Sequence, residues 1–423
     1  MLTTAPRGTK DILPSEIENW RYVEAAMRRI CAQFGYKEIR TPVFEHTELF
    51  KRGIGDTTDV VEKEMYTFAD RGGRSITLRP ENTASAVRAF CEHKLYAEPA
   101  PCKLYYIGPM FRYDRPQAGR YRQFHQFGIE ALGVESPAID AEAILLAVTI
   151  LKELGLKDLH LKINSVGCSK CRPQHRQKLQ DYFRPHLDGM CSDCKSRFER
   201  NPLRLLDCKV PHDHELATGA PSLEECLCEE CRTHFEGVKK LLTAAGVDFE
   251  VDNTLVRGLD YYTKTAFEIQ YVPLGAQSAV CGGGRYDGLV KEIGGQDVSG
   301  IGFAMGMERI LLALESQNLL PEHKESMDAF IVCPNQDNFE AAFKTAIAAR
   351  QAGLKTEFDF LGRSMKAQMK QAGRLNAKFA VIFGDDELAR GAVTLKNMAE
   401  STQKEIPAND IVTILQTEVQ KYE

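Results

Sequence analysis

The sequence predicts a multidomain α/β and α+β protein. A core built on an antiparallel sheet is interrupted by a helical insertion and followed by a small α/β domain with a mixed sheet. Three observations carry this prediction. The chain has 423 residues, too many for one ordinary core, so two or three domains are expected. Eight of its thirteen cysteines crowd between Cys168 and Cys231, in a polar, helical-looking stretch that separates two segments of strand character. After a polar linker at Gln317–Met327, strand and helix patterns alternate to the end. The expected boundaries are 1–166 and 246–320 for the two parts of the core, 167–245 for the insertion and 328–423 for the terminal domain.

In chain order, Pro6, Gly8 and Pro14 mark a structured loop, and Ser15 is the expected N-cap of a helix near Glu16–Phe34. Val23, Met27, Ile30, Cys31 and Phe34 form its apolar stripe. Past Gly35, YKEIRTPVFE reads as a strand, and Pro42 inside it implies an edge or an interface. Met65–Phe68 and Ser75–Leu78 read as short strands around a turn. Asn82 or Thr83 is placed to cap the next helix, with Glu81 beside it.

Leu104–Gly133, LYYIGPMFRYDRPQAGRYRQFHQFGIEALG, is the stretch around which the rest is arranged. It reads as two strands joined by a basic loop. Period-two counting puts Gly108, Met110 and Arg112 on one face of the first limb, and Gln126, Gly128 and Glu130 on one face of the second. Arg112, Gln126 and Glu130 are therefore expected on one polar surface. Arg112, Arg115, Arg120 and Arg122 fall within eleven residues, with Asp114 alone against them. Guanidinium groups pair with phosphate in a fork geometry, so the cluster suits an anion. A solvated loop explains the charge alone. The Gln/Glu face opposite the arginines favours binding. His125 counts onto the apolar face with Phe127 and Ile129, where a packed or hydrogen-bonded role is expected.

After a helix at Pro137–Leu154 and the strand LHLKINSVG comes the cysteine-rich insertion. Phe249–Tyr271 returns to strand character, CGGGRYDG reads as a glycine-rich turn, and Ser299–Leu314 ends in a helix containing Arg309. In the tail, Lys366, Lys370, Arg374 and Lys378 recur every four residues and lay a basic stripe along one helix face.

Composition is that of a globular protein, 43% hydrophobic and 27% charged, with a net charge of −5. Any nucleic-acid contact must then come from local patches. No apolar run approaches the roughly 18 residues of a membrane span, and the N-terminus lacks a signal-peptide core. A cytoplasmic enzyme with no membrane partner fits.

The hairpin, in its form FRYDRPQAGRYRQFHQFGIEALG, resembles motif 2 of class II aminoacyl-tRNA synthetases, in the histidyl-tRNA synthetase version. LVRGLDYYTKTAFE and CGGGRYDGLV match the two signatures of that family, GIGFAMGMERI matches motif 3, and PRGTKDILP matches its N-terminal motif. Helix, strand and Pro42 follow the layout of motif 1, which in the family builds a homodimer interface. The resemblance covers nearly the whole chain outside the insertion. It implies a class II catalytic core, an anticodon-binding tail, and ligation of L-histidine to tRNA(His) with ATP and Mg2+.

Such a reaction needs a carboxylate to attack the α-phosphate, so the site must cancel charge and hold both anions in line. The resemblance gives Arg112 and Arg257 the α-phosphate and the histidine carboxylate as catalytic cations, and Arg309 the γ-phosphate end. Arg120 joins them in ATP binding. Isolated, Arg257 reads as a turn residue paired with Asp260, and Arg309 as a helix arginine in an ion pair. The histidine pocket falls to Glu81, Thr83, Arg112, Gln126, Glu130, Arg257, Tyr261 and Tyr262. Strand alternation separates Tyr261 from Tyr262, so one of them is expected in the core. Gly283 and Gly284 are expected to let backbone approach the substrate, with Arg285 and Tyr286 lining the pocket. Arg115 and Gln117 match positions that read the tRNA acceptor end.

Cys168-x2-Cys171 and Cys191-x2-Cys194, nineteen residues apart, form a zinc signature. Cys208, Cys226, Cys228 and Cys231 offer a second site or alternative ligands. Zinc is not general in the family, and its chemistry needs none. Two rival readings are a regulatory paralogue of histidine biosynthesis and a class II synthetase for another amino acid. The tail and the three arginines argue against the first, and RGLDYY and GGGRYDG against the second.

Overall fold

The computed structural model describes residues 3–55, 58–208, 210–322 and 326–422. The chain divides into two compact units, Met1–Pro321 and Glu322–Glu423. Residues 323–325 of the expected linker lie outside the described residues.

In the first unit, α1 (Pro14–Gln33) leads to β1 (Lys37–Glu38) and β2 (Phe44–His46). Then come α2 (Thr47–Ile54), β3 (Tyr66–Ala69), β4 (Ser75–Leu78), α3 (Thr83–Glu92), β5 (Cys102–Phe111), β6 (Gln123–Leu132), α4 (Pro137–Glu153) and β7 (Leu159–Ser165). The insertion contributes α5 (Arg172–Phe183), α6 (Ser192–Arg200), α7 (Pro211–Thr218) and α8 (Glu229–Ala244). The core resumes with β8 (Glu250–Val251), β9 (Thr263–Tyr271), β10 (Ala279–Arg285), α9 (Leu289–Glu292), β11 (Gly300–Gly306) and α10 (Met307–Ser316).

One eight-stranded sheet runs β1-β5-β6-β11-β10-β9-β7-β8, antiparallel through its centre. The main apolar core is built from Phe127, Ile129, Phe267, Ile301 and Met305 of this sheet, packed with residues of α1, α4, α8 and α10. Alternation leaves the other face free for polar work. β2, β4 and β3 form a separate three-stranded sheet.

Three local expectations are corrected. Ser15 does not cap α1: Leu13 is the N-cap, with Pro14 in the first turn, where its fixed φ suits a helix start. Pro42 lies between β1 and β2 rather than inside one strand, since proline cannot donate to a ladder. CGGGRYDG is not a turn. Its first five residues are the end of β10, paired on both sides.

The second unit contains β12 (Ala329–Val332), α11 (Phe339–Gln351), β13 (Thr356–Phe358), α12 (Met365–Arg374) and β14 (Phe379–Ile382). It ends with α13 (Asp385–Ala389), β15 (Ala392–Asn397), β16 (Gln403–Pro407) and α14 (Ile411–Gln420). Its mixed sheet is ordered β13-β12-β14-β15-β16, parallel for the first three strands and antiparallel for the rest. Lys378 falls beyond the end of α12 and pairs with Asp328 at 2.8 Å, so the basic stripe is Lys366, Lys370 and Arg374.

Candidate active site

The site stands on the face of the large sheet opposite the apolar core. β6 presents Gln126, Gly128 and Glu130 there, on the same face as Tyr106 and Gly108 of β5 and Gly302, Ala304 and Gly306 of β11. Register sets Gln126 across from Gly108 and Gly306, and Glu130 across from Gly302. Small residues opposite long ones leave a cavity of about 380 Å³, within the range of ligand pockets.

Arginines hold one side of it. Arg112 follows β5, donates Nε–H to the Pro80 carbonyl at 2.8 Å and lies over the Phe124 ring at 5.4 Å. Arg309, in the first turn of α10, donates to the carbonyls of Gly119 at 3.0 Å and Ala279 at 2.7 Å, and to the Gln277 amide oxygen. Among the described residues, neither arginine has a carboxylate partner. The ion pair offered for Arg309 from sequence is replaced by neutral acceptors, which fix the side chain without cancelling its charge. Burial, then the neighbouring Arg112 and Arg120 charges, push Arg309 below its ordinary pKa. An anion between these groups relieves that crowding. Arg120 lines the cavity too, paired with Asp114 and 3.7 Å from Glu64.

Arg257 pairs with Glu268 of β9, not with Asp260. Glu268 sits across from Gly282 in the ladder. A Cβ on Gly282 would lie 2.0 Å from Arg257 Nη2, so only glycine lets the guanidinium lie over the strand. Among the described residues, Arg257 Nε is buried without a partner, as is Gln126 Oε1. Two unpaired polar atoms on the lining of one cavity suit a polar ligand.

Glu81 is 4% exposed and accepts from the backbone N–H groups of Thr83 at 2.6 Å and Ala84 at 3.0 Å. It therefore caps α3, a task expected of Asn82 or Thr83, and lines the cavity together with Thr83. The Asn82 side chain instead accepts from Thr41 and Arg79. Burial pushes Glu81 up, against the pull of its backbone donors.

Tyr261 and Tyr262 both line the cavity, with ring centroids 4.6 Å apart. Alternation does not separate them because β9 begins only at Thr263. Glu130 is fully buried beneath the lining, and its carboxyl oxygens accept from the hydroxyls of Tyr106 and Tyr286. Burial pushes its pKa up to about 8.

Arg285 and Tyr286 do not line the cavity, contrary to expectation. Arg285 is fully buried against Asp140 and Asp287, and Asp140 also accepts from His234 at 2.7 Å and Thr265 at 2.6 Å. Gly283 and Gly284 do not meet the substrate side either: Gly283 faces Phe303 and the Gly302 carbonyl, and Gly284 faces Thr265 and Tyr262. Of the glycine run, Gly282 is the one on the lining. Arg115 and Gln117 are exposed on the hairpin loop, outside the cavity. His125 takes the packed role expected of it, against Trp20, with Nδ1 3.0 Å from Glu308.

Sequence reasoning passed over Tyr106, Glu268 and Gln277. Tyr106 was within reach of the same period-two count that found Arg112. The other two are partners of arginines, and pairing across a fold leaves no local signal. The cysteines also divide differently from the expected set. Cys168 and Cys171 gather with Cys228 and Cys231, while Cys191 and Cys194 gather with Cys208 and Asp213. The two Cys-x2-Cys pairs thus do not share a site, and Cys226 belongs to neither.

An antiparallel sheet bearing a basic cleft, with its motif 2 hairpin and motif 3 helix supplying the cations, defines a class II aminoacyl-tRNA synthetase. Residues 8–310 match the family described as histidyl-tRNA synthetase, and residues 328–418 match an anticodon binding domain. The histidine–tRNA ligase of Desulforamulus reducens is 55% identical, over 98% of this chain and 99% of its own. That of Caldanaerobacter subterraneus is 56% identical, over 97% and 99%. The crystal structure of apo histidyl-tRNA synthetase from S. aureus superposes with a TM-score of 0.83 at 42% identity, covering 98% of this chain and all of that one. The chain belongs to the histidyl-tRNA synthetase family. It is an enzyme, and its activity is that of the family, histidine–tRNA ligation. Aminoacyl-tRNA synthetases in general use ATP and Mg2+. Among the described residues, no helix is long and apolar enough to cross a membrane.

Proposed function

We propose that the cavity activates L-histidine with ATP and passes it to tRNA(His). A carboxylate oxygen of histidine attacks the α-phosphorus, the bond to the β,γ-phosphates breaks, and pyrophosphate leaves. A hydroxyl of the 3′-terminal ribose then attacks the adenylate carbonyl, and AMP leaves. Arg112 and Arg257 hold the α-phosphate and the carboxylate, Arg309 the γ-phosphate end, with Arg120 beside it. The observation that carries this reading is the convergence of these guanidinium groups on one cavity, two of them without carboxylate partners.

Glu81, Thr83, Gln126, Tyr261 and Tyr262 form the histidine pocket, with Glu130 acting from below through Tyr106. Buried carboxyl, amide and phenol groups suit an amine and an imidazole, and a pocket of hydrogen bonds rejects apolar analogues strongly. Among the described residues, no acidic trio gathers at the cavity. Asp114 is engaged by Arg120 and Glu308 by His125. Mg2+ accompanying the nucleotide would supply neutralisation of phosphate charge.

The exposed hairpin residues Arg115 and Gln117 meet the tRNA acceptor end, and Lys366, Lys370 and Arg374 offer phosphate contacts on α12. A homodimer forms through the region of α1 and the three-stranded sheet, where Val43, Phe44 and Phe68 are exposed apolar residues. The working compartment is the cytoplasm. The functional parts are 1–166 and 246–320 for catalysis, 167–245 for the insertion and 328–423 for the anticodon.

Arg257→Ala tests the assignment. Histidine-dependent ATP–pyrophosphate exchange is expected to lose roughly 10²–10³ in kcat, in protein that still unfolds cooperatively in urea, at a lower midpoint because Glu268 loses its buried partner. A variant that keeps kcat within about threefold removes Arg257 from the chemistry.

A further inference from the structure

The insertion holds two clusters of ligand atoms that the ligation reaction does not use. In the first, the sulfurs of Cys168, Cys171, Cys228 and Cys231 lie within 4.8 Å of one another. Cys168 Sγ is 3.6 Å from Cys171 Sγ and 3.8 Å from Cys228 Sγ. In the second, Cys191, Cys194, Cys208 and an Asp213 oxygen meet the same limit, with Cys191 Sγ 3.8 Å from Cys208 Sγ and Cys208 Sγ 3.6 Å from Asp213 Oδ2.

These separations have a physical meaning. Four sulfurs at the zinc–thiolate distance of about 2.3 Å sit at the corners of a tetrahedron with edges of about 3.8 Å. A disulfide needs about 2.05 Å, and all of these cysteines are free. Backbone N–H groups already point at the sulfurs: Lys170 at Cys168, Cys194 at Cys191 and Cys228 at Cys171, at 3.4, 3.4 and 3.2 Å. Such donors stabilise thiolates and orient metal ligands. Asp213, 1% exposed, supplies a carboxylate where the fourth cysteine is missing.

Each cluster backs one end of the loop that carries the catalytic and pocket residues. Arg172, next to Cys171, donates to the carbonyls of Val166 and Tyr262. Arg204, between Cys194 and Cys208, donates to the Arg257 carbonyl at 3.0 Å. Asn201 donates to Asp260 at 2.8 Å.

We propose that the insertion binds two zinc ions, one held by four cysteines and the other by three cysteines and Asp213, and that they position Tyr262 and Arg257 through Arg172 and Arg204. Tetrahedral thiolate-rich sites select zinc over harder metals. The ions are structural, since every ligand position is filled by protein. The metal count is independent of the activity proposed above. The positioning role rests on it.

The test begins with elemental analysis of the full-length protein, purified without chelator. Two zinc ions per chain are expected, falling to one in Cys231→Ser and to one in Asp213→Ala. Replacement by Co2+ gives thiolate-to-metal charge-transfer absorption, with the same halving. Asp213→Cys keeps both ions. In exchange assays Asp213→Ala lowers kcat by about 10–100-fold, and Asp213→Cys restores it. A folded wild-type protein with less than one zinc per chain, or with iron in its place, overturns the proposal. So does a count that neither variant changes. A kcat unaffected by loss of the second ion overturns the positioning role alone.

Discussion

The carboxyl of Glu130 lies where water does not reach, held by the hydroxyls of Tyr106 and Tyr286. Burial raises its pKa to about 8. A raised carboxyl pKa means that the folded state binds the proton more tightly than the unfolded one. Its contribution to stability is then fully present below the ordinary Glu value and is lost as pH rises through about 8. Glu130→Gln cannot ionise, so the wild-type protein is expected to lose stability relative to the variant between pH 5 and 8, by up to about tenfold in folding constant per pH unit. Urea unfolding across that range checks it, and parallel curves contradict it. At this scale the motifs made legible that Arg112, Arg257 and Arg309 share one cavity lining. They did not do so for Arg285, which sits in a motif yet is neutralised by Asp140, 145 positions away. Nothing local announces that partner.

Among the elements, β10 shows why a glycine run misleads. Glycines usually mark turns, but here the chain crowds its neighbours inside a sheet. A Cβ on Gly283 would meet the Gly302 carbonyl at 2.3 Å and Phe303 Cα at 2.7 Å, both backbone atoms that cannot swing aside. Gly283→Ala is expected to destabilise the protein by about 1–3 kcal/mol, read from the shift in urea midpoint, and an unshifted midpoint contradicts the close packing. The tyrosine pair failed for the converse reason. Period two was applied to Tyr261 and Tyr262, which precede the strand and obey the geometry of a turn. The cysteine pairs failed because spacing in sequence does not say which two loops meet. The helical insertion brings Cys228 and Cys231 back beside the start of α5, and the pairing follows from that return.

For the whole molecule, the order of parts was readable because hydrophobic periodicity changes from one part to the next. The fold class follows that reading: a largely antiparallel sheet in the first unit, helices along the cysteine-rich stretch and a mixed sheet in the second unit. β16 escaped notice because an edge strand carrying Gln403, Lys404 and Glu405 reads as polar loop. The central claim belongs to this scale: the apolar core supports one sheet face so that another can hold a histidine and an ATP together. The measurement that tests it most directly is ATP–pyrophosphate exchange with each of the twenty amino acids in turn, without tRNA. The account predicts exchange with histidine alone. Exchange with a different amino acid, or none with any from folded protein, contradicts it.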